Sequence, residues 1–296
     1  MSARRARVEA HAKLNLRLKV LAREANGFHF LETVFVRVAL SDIVHVKVTS
    51  RGHALRVGGD ETLVSAVGPA ESNLALRAAQ MYADITGWPA GFEIEIEKHI
   101  PVGAGLGGGS ADAGAVLRAL QALSPEPVAE DDLLRIAASL GSDVPFLTTE
   151  ATAALAWGRG ERMLQLPPFP EQDAVLLTPG FSVRTSEAYD WLDATGTGEP
   201  SSPAAIPLAA LTDWPQLQRW VENDFEVAVM SRHPEIAQMR ASLARAGAMI
   251  ARMSGSGSTV FGIFDRPPDG SFAQGQPWQT RFTRTLSEVV APAVSD

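Results

Sequence analysis

The chain has 296 residues, of which 46% are hydrophobic and 20% charged, and its 26 Lys and Arg against 34 Asp and Glu give a formal net charge of −8. This acidic balance disfavours non-specific binding to nucleic acid or to an anionic membrane surface, so we expect neither partner. The absence of cysteine excludes disulfides, Cys-ligated zinc, iron–sulfur centres and a thiol nucleophile.

No stretch of the sequence approaches the roughly 18 uncharged apolar residues of a membrane span. The N-terminal run MSARRARVEAHAK is basic but lacks the apolar core of a signal peptide. We therefore expect a cytoplasmic protein, a monomer or a weak homodimer, whose partner is a small molecule.

The first predicted elements are strands. Residues 8–20 alternate strictly between apolar and polar side chains, which is the period of a strand with one buried face. The polar face of that strand carries His11, Lys13 and Asn15. Strand-like alternation continues to residue 48, with a short polar turn predicted near residues 41–42.

Helices dominate the next part of the chain. The predicted elements are, in order, a helix at about 73–85, a strand at 92–100, a glycine-rich loop, and helices at about 110–123 and 130–140. Ser72 or Asn73 is expected to cap the first of these helices, and Gly141 to end the last.

A domain boundary is predicted at PPFPEQ, residues 167–172, because its prolines interrupt helices and strands. We accordingly divide the chain into an N-terminal domain, 1–168, and a C-terminal domain, 169–296. A hairpin that turns at 158–161 is predicted before the boundary. After it we expect a strand from 173, a short helix from Thr185, a loop at 195–207 and helical segments over 208–246. Two strands flanking a polar turn at 254–258 and a terminal helix near 279–291 complete the predicted chain.

The glycine loop, residues 103–109, holds five glycines directly before a helix-forming run. Glycine loses more conformational freedom on folding than any other residue, so this density indicates a use for bare backbone. A flexible surface loop is one interpretation. A dinucleotide fingerprint is a second, because 103–108 fits GxGxxG, but a second helix follows where that unit needs a parallel strand.

The third interpretation, a phosphate-binding loop, is the one we favour. Free N–H groups at a helix N-terminus attract an anion, and glycines let the backbone close around it. Several glycines in a row suit a polyphosphate. The absence of Gly-Lys-[Ser/Thr] excludes a P-loop NTPase.

Three motifs carry a resemblance to a known family: AKLNL at 12–16, PVGAGLGGGSADA at 101–113 and MSGSGSTVFGIF at 253–264. In this order they resemble the motifs of the GHMP kinases, the galactose, homoserine, mevalonate and phosphomevalonate kinases. Four further segments resemble one group of these kinases: GFHFLETVF, SNLALRAA, GSDVPFL and NDFE. The members of that group phosphorylate the 2-hydroxyl of a cytidine-diphosphate-linked methylerythritol in the non-mevalonate isoprenoid route.

The resemblance implies a two-domain α/β (α+β) fold, with an N-terminal domain like ribosomal protein S5 and a ferredoxin-like C-terminal domain. It also implies ATP as the phosphoryl donor, with Mg²⁺. Asp143 would accept the proton of the substrate hydroxyl, and Lys13 would stabilise developing charge beside it. From the residues alone, Asp143 can also be a simple turn or cap residue, and Lys13 is ordinarily an exposed side chain of a strand.

The resemblance assigns the nucleotide to Asn73, Lys98, Pro101, Gly103, Gly105, Leu106, Gly107, Gly108, Gly109, Ser110 and Ala111. Ser110 is also the candidate Mg²⁺ ligand, although the sequence alone makes it the N-cap of the following helix. Asn73 reads first as a helix cap, and Lys98 as a charge that balances neighbouring glutamates.

The resemblance assigns the cytidine-diphosphate-linked substrate to Asn15, Phe28, His29, Thr185 and Tyr189. Of these, the aromatic and histidine side chains would recognise the cytidine. The family more usually has tyrosine at position 28, so phenylalanine keeps a stacking face and lacks a hydroxyl. Arg159 is expected to bring a charge within reach of a diphosphate.

Other functions stay open at this point. A homoserine or mevalonate type of kinase and a nucleotide-binding homologue without catalysis both fit the glycine loop. An NAD-dependent oxidoreductase would need a strand soon after residue 123, where the sequence predicts a helix.

Overall fold

The structure, a computed structural model, describes residues 4–23, 29–194 and 206–296. Within these ranges the chain forms two β-sheets covered by helices, so the predicted α/β class is confirmed. The strands are β1 (Arg5–Arg23), β2 (His29–Thr49), β3 (Gly52–Gly59), β4 (Gly91–Lys98), β5 (Ala153–Gly158), β6 (Arg162–Gln165), β7 (Asp173–Thr178), β8 (Ile250–Met253), β9 (Val260–Phe264), β10 (Gln279–Arg284) and β11 (Ala293–Ser295). The α-helices are α1 (Glu61–Ser65), α2 (Leu74–Thr86), α3 (Gly108–Leu123), α4 (Glu130–Leu140), α5 (Val144–Thr148), α6 (Thr185–Ala194), α7 (Trp214–Leu217), α8 (Phe225–Met230) and α9 (Glu235–Arg245). Among the helices that the structure describes, none combines the length and the apolar character needed to cross a membrane.

The first sheet has seven strands. Its order is β11-β1-β2-β4-β3, with β5 paired to β2 and β6 to β5. On the edge of β2 away from β1, residues 31–36 pair with β5 and residues 43–49 with β4. The turn predicted near residues 41–42 is therefore wrong. β2 runs through it because Asp42 is completely buried and accepts hydrogen bonds from the backbone N–H groups of His99 and Ile100.

The second sheet has the order β10-β7-β9-β8 and is antiparallel throughout. The terminal helix predicted near 279–291 is wrong, because β10 pairs along its whole length with β7. Its residues include Thr280, Phe282 and Thr283, whose branched and aromatic side chains suit a strand. β11 then returns to the first sheet beside β1, and the division of the chain at residue 168 stays a prediction.

Several predicted helix ends are confirmed. Asn73 caps α2 by accepting a hydrogen bond from the backbone of Ala75, and Gly87 ends that helix in a left-handed conformation with φ 72°. α4 ends before Gly141, and α6 begins at Thr185. The loop predicted at 195–207 lies almost entirely outside the described residues, and the helical material predicted over 208–246 consists of short separate helices.

The two faces of β1 are both buried, whereas the alternation predicted one. The apolar face joins a large core with α2, α3 and α5, in which Phe35 and Phe146 stack at 5.1 Å. On the polar face Lys13, Asn15 and Arg17 are each at most 5% exposed. Loops from both halves of the chain cover that face, since the backbone N–H of Lys13 donates to Leu106 and Arg17 donates to the carbonyl of Trp220. The polar face of β1 is therefore the floor of a site.

Candidate functional site

A cavity of about 860 Å³ opens between the first sheet, the start of α3, and segments of the second half of the chain that include α6 and residues 255–257. It is lined by most of the residues that the sequence assigned to a site, namely Lys13, Asn15, His29, Asn73, Lys98, Pro101, Gly103, Gly105, Gly107, Gly108, Gly109, Ser110, Asp143, Thr185 and Tyr189, together with Arg159. Leu106 and Ala111 are buried beside the cavity and do not line it. Phe28 lies outside the described residues.

The glycine loop ends in the N-terminus of α3. Gly103, Gly105 and Gly107 have φ values of 67°, 79° and 73°, a region that side chains disfavour. The helix begins at Gly108, and its cap is Gly107, which offers no side-chain hydrogen bond. Ser110 is thus the third residue of the helix, and the prediction that it is the N-cap is wrong. Because no capping side chain is present, the first N–H groups of α3 are left for an anion in the cavity.

A second loop, residues 254–258 and here called the serine loop, closes over the glycine loop. Ser254 Oγ donates to the carbonyl of Gly105 at 2.9 Å, and the backbone N–H of Thr259 donates to the carbonyl of Ala104 at 3.1 Å. A Cβ atom at Gly105 would overlap the carbonyl oxygen of Ser254. The two loops are therefore in backbone contact, which explains why position 105 is glycine independently of any ligand.

The serine loop is itself held by the NDFE segment at 223–226. Asn223 Nδ2 donates to the carbonyls of Met253 and Gly255, both at 2.8 Å, and Glu226 accepts from the backbone N–H of Met253 at 2.8 Å. Asn223 and Glu226 are buried. The sequence offered NDFE only as a family cue, and its part in supporting the site was missed.

Lys13 and Asp143 meet on the floor of the cavity. Lys13 Nζ lies 3.3 Å from Asp143 Oδ2 and donates to Asn15 Oδ1 at 2.5 Å. Asn15 in turn donates through Nδ2 to Thr33 Oγ1 at 2.8 Å. Lys13 is 4% exposed, whereas the Asp143 side chain keeps 29% exposure at the start of α5. A fixed ammonium and an accessible carboxylate can hold a substrate hydroxyl and stabilise charge that develops on it.

Lys98 belongs to a buried charge cluster with Asp42 and Asp112. Its Nζ contacts Asp42 Oδ2 and lies 2.8 Å from Asp112 Oδ2. Burial raises the pKa of Asp112, and the nearby charge of Lys98 offsets only part of this rise. The second carboxylate oxygen of Asp112, Oδ1, has no hydrogen-bond partner among the described residues. Lys98 therefore ties β4 to β2 and to α3, a structural role that the sequence did not suggest. Its contact with a nucleotide stays a prediction.

His29 and Tyr189 form an aromatic wall of the cavity. Their rings stack at 4.4 Å with an angle of 13° between the planes, and Phe225 packs edge-on against Tyr189 at 4.9 Å. Burial, and then the Asp143 carboxylate, raise the pKa of Tyr189 to about 12, so its hydroxyl keeps its proton at neutral pH. Thr185, one turn earlier on α6, lies 3.1 Å from Ser256 Oγ.

The chemistry of the residues present fits a nucleoside triphosphate with a metal ion. The described residues contain no group of three or more His, Asp or Glu able to hold a metal by themselves. Ser110 and Asp112 both line the cavity, and the buried Oδ1 of Asp112 has no hydrogen-bond partner among the described residues. Hydroxyl and carboxylate oxygens are ligands that Mg²⁺ accepts when phosphates supply the rest.

Comparison with known proteins gives a consistent result. The family model of the GHMP kinases N terminal domain matches residues 73–150, and that of the GHMP kinases C terminal domain matches residues 205–276. A 4-diphosphocytidyl-2-C-methyl-D-erythritol kinase of Solibacter usitatus is 39% identical over 266 residues, covering 88% of this chain and 82% of the relative. The enzyme of the same name from Syntrophomonas wolfei is 38% identical, covering 93% of this chain and 94% of the relative.

Solved structures agree with these relatives. A crystal structure of 4-(cytidine 5'-diphospho)-2C-methyl-D-erythritol kinase superposes with a TM-score of 0.76 at 34% identity, covering 94% of this chain and 98% of the other. A homoserine kinase from Cytophaga hutchinsonii superposes with a TM-score of 0.67 at 19% identity, covering 98% of this chain and 97% of the other. The second match is a likeness of fold alone.

Proposed function

Since the chain belongs to the GHMP kinases and, within them, to the 4-diphosphocytidyl-2-C-methyl-D-erythritol kinases, we propose that it transfers the γ-phosphoryl group of ATP to the 2-hydroxyl of 4-diphosphocytidyl-2-C-methyl-D-erythritol. This reaction belongs to the non-mevalonate route to isoprenoid precursors. The observation that carries the proposal is one cavity that holds both the free N-terminus of α3 and, 3.3 Å apart, Lys13 and Asp143.

The glycine loop binds the triphosphate of ATP. The N–H groups at the start of α3 point along the helix axis, and the positive end of the helix dipole adds to their attraction for phosphate. Asn73 and Lys98 line the same cavity, and we assign them to the nucleotide. The Ser110 hydroxyl would hold a Mg²⁺ ion bound with ATP, with Asp112 in its outer sphere, and the ion would neutralise phosphate charge.

Asp143 accepts the proton of the acceptor hydroxyl, and Lys13 stabilises the negative charge that develops during transfer. The Asp143 carboxylate is accessible from the cavity, as an acceptor of a substrate proton must be. Asn15 fixes the Lys13 ammonium by accepting one of its hydrogen bonds. Phosphoryl transfer depends on such positioning and on electrostatic stabilisation more than on covalent chemistry.

His29 and Tyr189 bind the cytidine, and Thr185 lies beside them. The stacked pair offers a flat aromatic wall and polar ring atoms to the cavity. Stacking and hydrogen bonds to the base edge are the usual means of recognising an unpaired base. The substrate is therefore held at its base end by α6 and β2 and at its alcohol end by β1 and the start of α5.

Two alternatives are disfavoured by particular observations. An oxidoreductase with a dinucleotide fingerprint needs a strand after α3, and the chain has α4 there. A nucleotide-binding homologue without catalysis has no reason to keep a buried lysine 3.3 Å from an accessible aspartate.

The test is ADP release measured with the cytidyl substrate, with homoserine and with mevalonate in parallel. We expect turnover with the cytidyl substrate only. Turnover with homoserine or mevalonate alone would refute the substrate assignment, and the absence of ADP release with all three compounds would refute the proposed activity.

Sedimentation velocity tests the expected monomer or weak homodimer, and cell fractionation tests the expected cytoplasmic location.

A further inference from the structure

Asp193 links the aromatic wall to the end of β1. His29 Nε2 lies 3.0 Å from Asp193 Oδ1, and the other carboxylate oxygen of Asp193 lies 3.2 Å from a guanidinium nitrogen of Arg23. His29 is nearly buried, with 6% of its side chain exposed, and its ring is stacked on Tyr189. The imidazole is thus held at its face by Tyr189 and at its edge by Asp193.

We infer that Asp193 is a positioning residue that fixes the proton of His29 on Nε2 and thereby makes the histidine selective for a base edge that donates a hydrogen bond. The inference rests on the proposed function, since it concerns the base end of the same substrate. Nothing in the sequence around position 193 marked this residue.

The Asp193 carboxylate determines which nitrogen of the His29 ring carries the proton. An ionised carboxylate only accepts hydrogen bonds, so its contact with Nε2 requires a proton on that nitrogen. In the neutral imidazole the other nitrogen, Nδ1, then carries a lone pair and accepts. Arg23 balances the charge of Asp193 from the other side, so the carboxylate already has a cationic partner. No described residue hydrogen bonds to Nδ1, and His29 lines the cavity.

An accepting Nδ1 distinguishes the two pyrimidines. Cytosine presents an amino group on the edge where uracil presents a carbonyl oxygen. The amino group donates to Nδ1, whereas a carbonyl oxygen would face the lone pair without a proton between them. Without Asp193 the imidazole can carry its proton on either nitrogen, and this discrimination weakens.

The first experiment reads the tautomer directly. In histidine labelled with ¹⁵N, long-range proton–nitrogen NMR spectra separate the two tautomers, and His29→Gln identifies the signal of His29. We expect an Nε2-protonated pattern in the wild type, a mixture in Asp193→Ala, and recovery of the Nε2 pattern in Asp193→Asn, whose amide oxygen still accepts. Asp190→Ala is the matched control, since Asp190 lies on the same helix and lines the cavity without a described contact to His29. A wild type protonated on Nδ1, or an Asp193→Ala spectrum identical to the wild type, would overturn the inference.

The second experiment measures base preference. With the ATP site saturated by a non-hydrolysable analogue, CDP and UDP binding are compared by calorimetry, and KM and kcat are measured with the cytidyl substrate. We expect Asp193→Ala to lower the preference for CDP about tenfold and to raise KM by a similar factor, the value of one ordinary hydrogen bond, with kcat little changed. An unchanged preference, or a loss confined to kcat, would overturn the inference. Failure of the proposed function would instead appear as absent turnover in the wild type, with the NMR and nucleotide-binding results still decisive for Asp193.

Discussion

His11 is a buried imidazole whose surroundings oppose its protonation. Burial first, and next the guanidinium of Arg37, lower its pKa from 6.5 to about 4. Arg118 acts in the same direction, and Glu9, 3.7 Å from His11 Nε2, acts against it. Because the folded protein excludes a proton that the unfolded chain binds, acid should destabilise the fold through this one residue.

The size of the effect follows from the two pKa values. Between pH 6.5 and about 4 the unfolded state binds more protons than the folded state, so the free energy of unfolding falls as the pH falls. At about 1.4 kcal/mol per pH unit, the full difference corresponds to about 3 kcal/mol. This contribution is complete above the unfolded pKa and is lost on passing down to the folded one. Asp112, whose pKa is raised by burial, acts in the opposite sense.

The assay is urea unfolding of the wild type and of His11→Gln at several pH values from neutral to about 4.5. Any constant cost of the substitution cancels in the slope, and so does the titration of Asp112, which both proteins retain. We expect the stability of His11→Gln to fall less steeply, with most of the ~3 kcal/mol difference developed at the acid end. His45→Gln, which makes the same replacement at an exposed position of the same sheet, is the control for the substitution itself. Parallel curves for the wild type and His11→Gln would refute the reasoning.

Three further predictions concern the site and its support. Gly105→Ala should lower stability by about 2 kcal/mol or more, because φ is 79° and the new Cβ overlaps the Ser254 carbonyl oxygen; an unchanged thermal unfolding midpoint would contradict this. Arg37→Ala should cost about 3–5 kcal/mol, because the fully buried guanidinium donates to three backbone carbonyls around α5 at 2.7 to 2.9 Å; a loss below about 1 kcal/mol in urea unfolding would show that these carbonyls find other donors. Asp143→Ala and Lys13→Ala should each reduce turnover by about 10²–10⁴-fold with an unchanged circular dichroism spectrum, and near-normal turnover in either variant would remove that residue from the mechanism.

The parts of the site that the sequence predicts are those encoded by local pattern. Alternation along β1 placed Lys13 and Asn15 on one face, and the glycine loop before α3 indicated a phosphate site. Alternation failed to predict that this polar face is buried, since burial depends on loops far along the chain that cover it. The prediction of a terminal helix is wrong for a related reason, because pairing with β7 determines the structure of residues 279–284.

Contacts between distant segments have no such local signal. Gly105 and Ser254 are separated by 149 positions, yet their hydrogen bond joins the glycine loop to the serine loop. Asn223 supports that junction through two backbone carbonyls, and Asp193 reaches His29 from the last turn of α6. A single sequence shows these residues only as ordinary polar side chains, so tertiary pairing alone reveals their roles.

The glycine density itself has two causes that the sequence cannot separate. A Cβ atom added at Gly107 would lie 3.1 Å from Lys13 Cε, and one added at Gly108 would lie 3.0 Å from Ile100 Cγ2. At Gly105 the added atom would overlap the carbonyl oxygen of Ser254. These contacts are made by the protein alone, so the glycines hold the loop's backbone in place as well as leaving room for phosphate. A loop fixed in this way presents its N–H groups without reorganising when charge arrives, and such preorganised dipoles stabilise a transferring phosphoryl group most effectively.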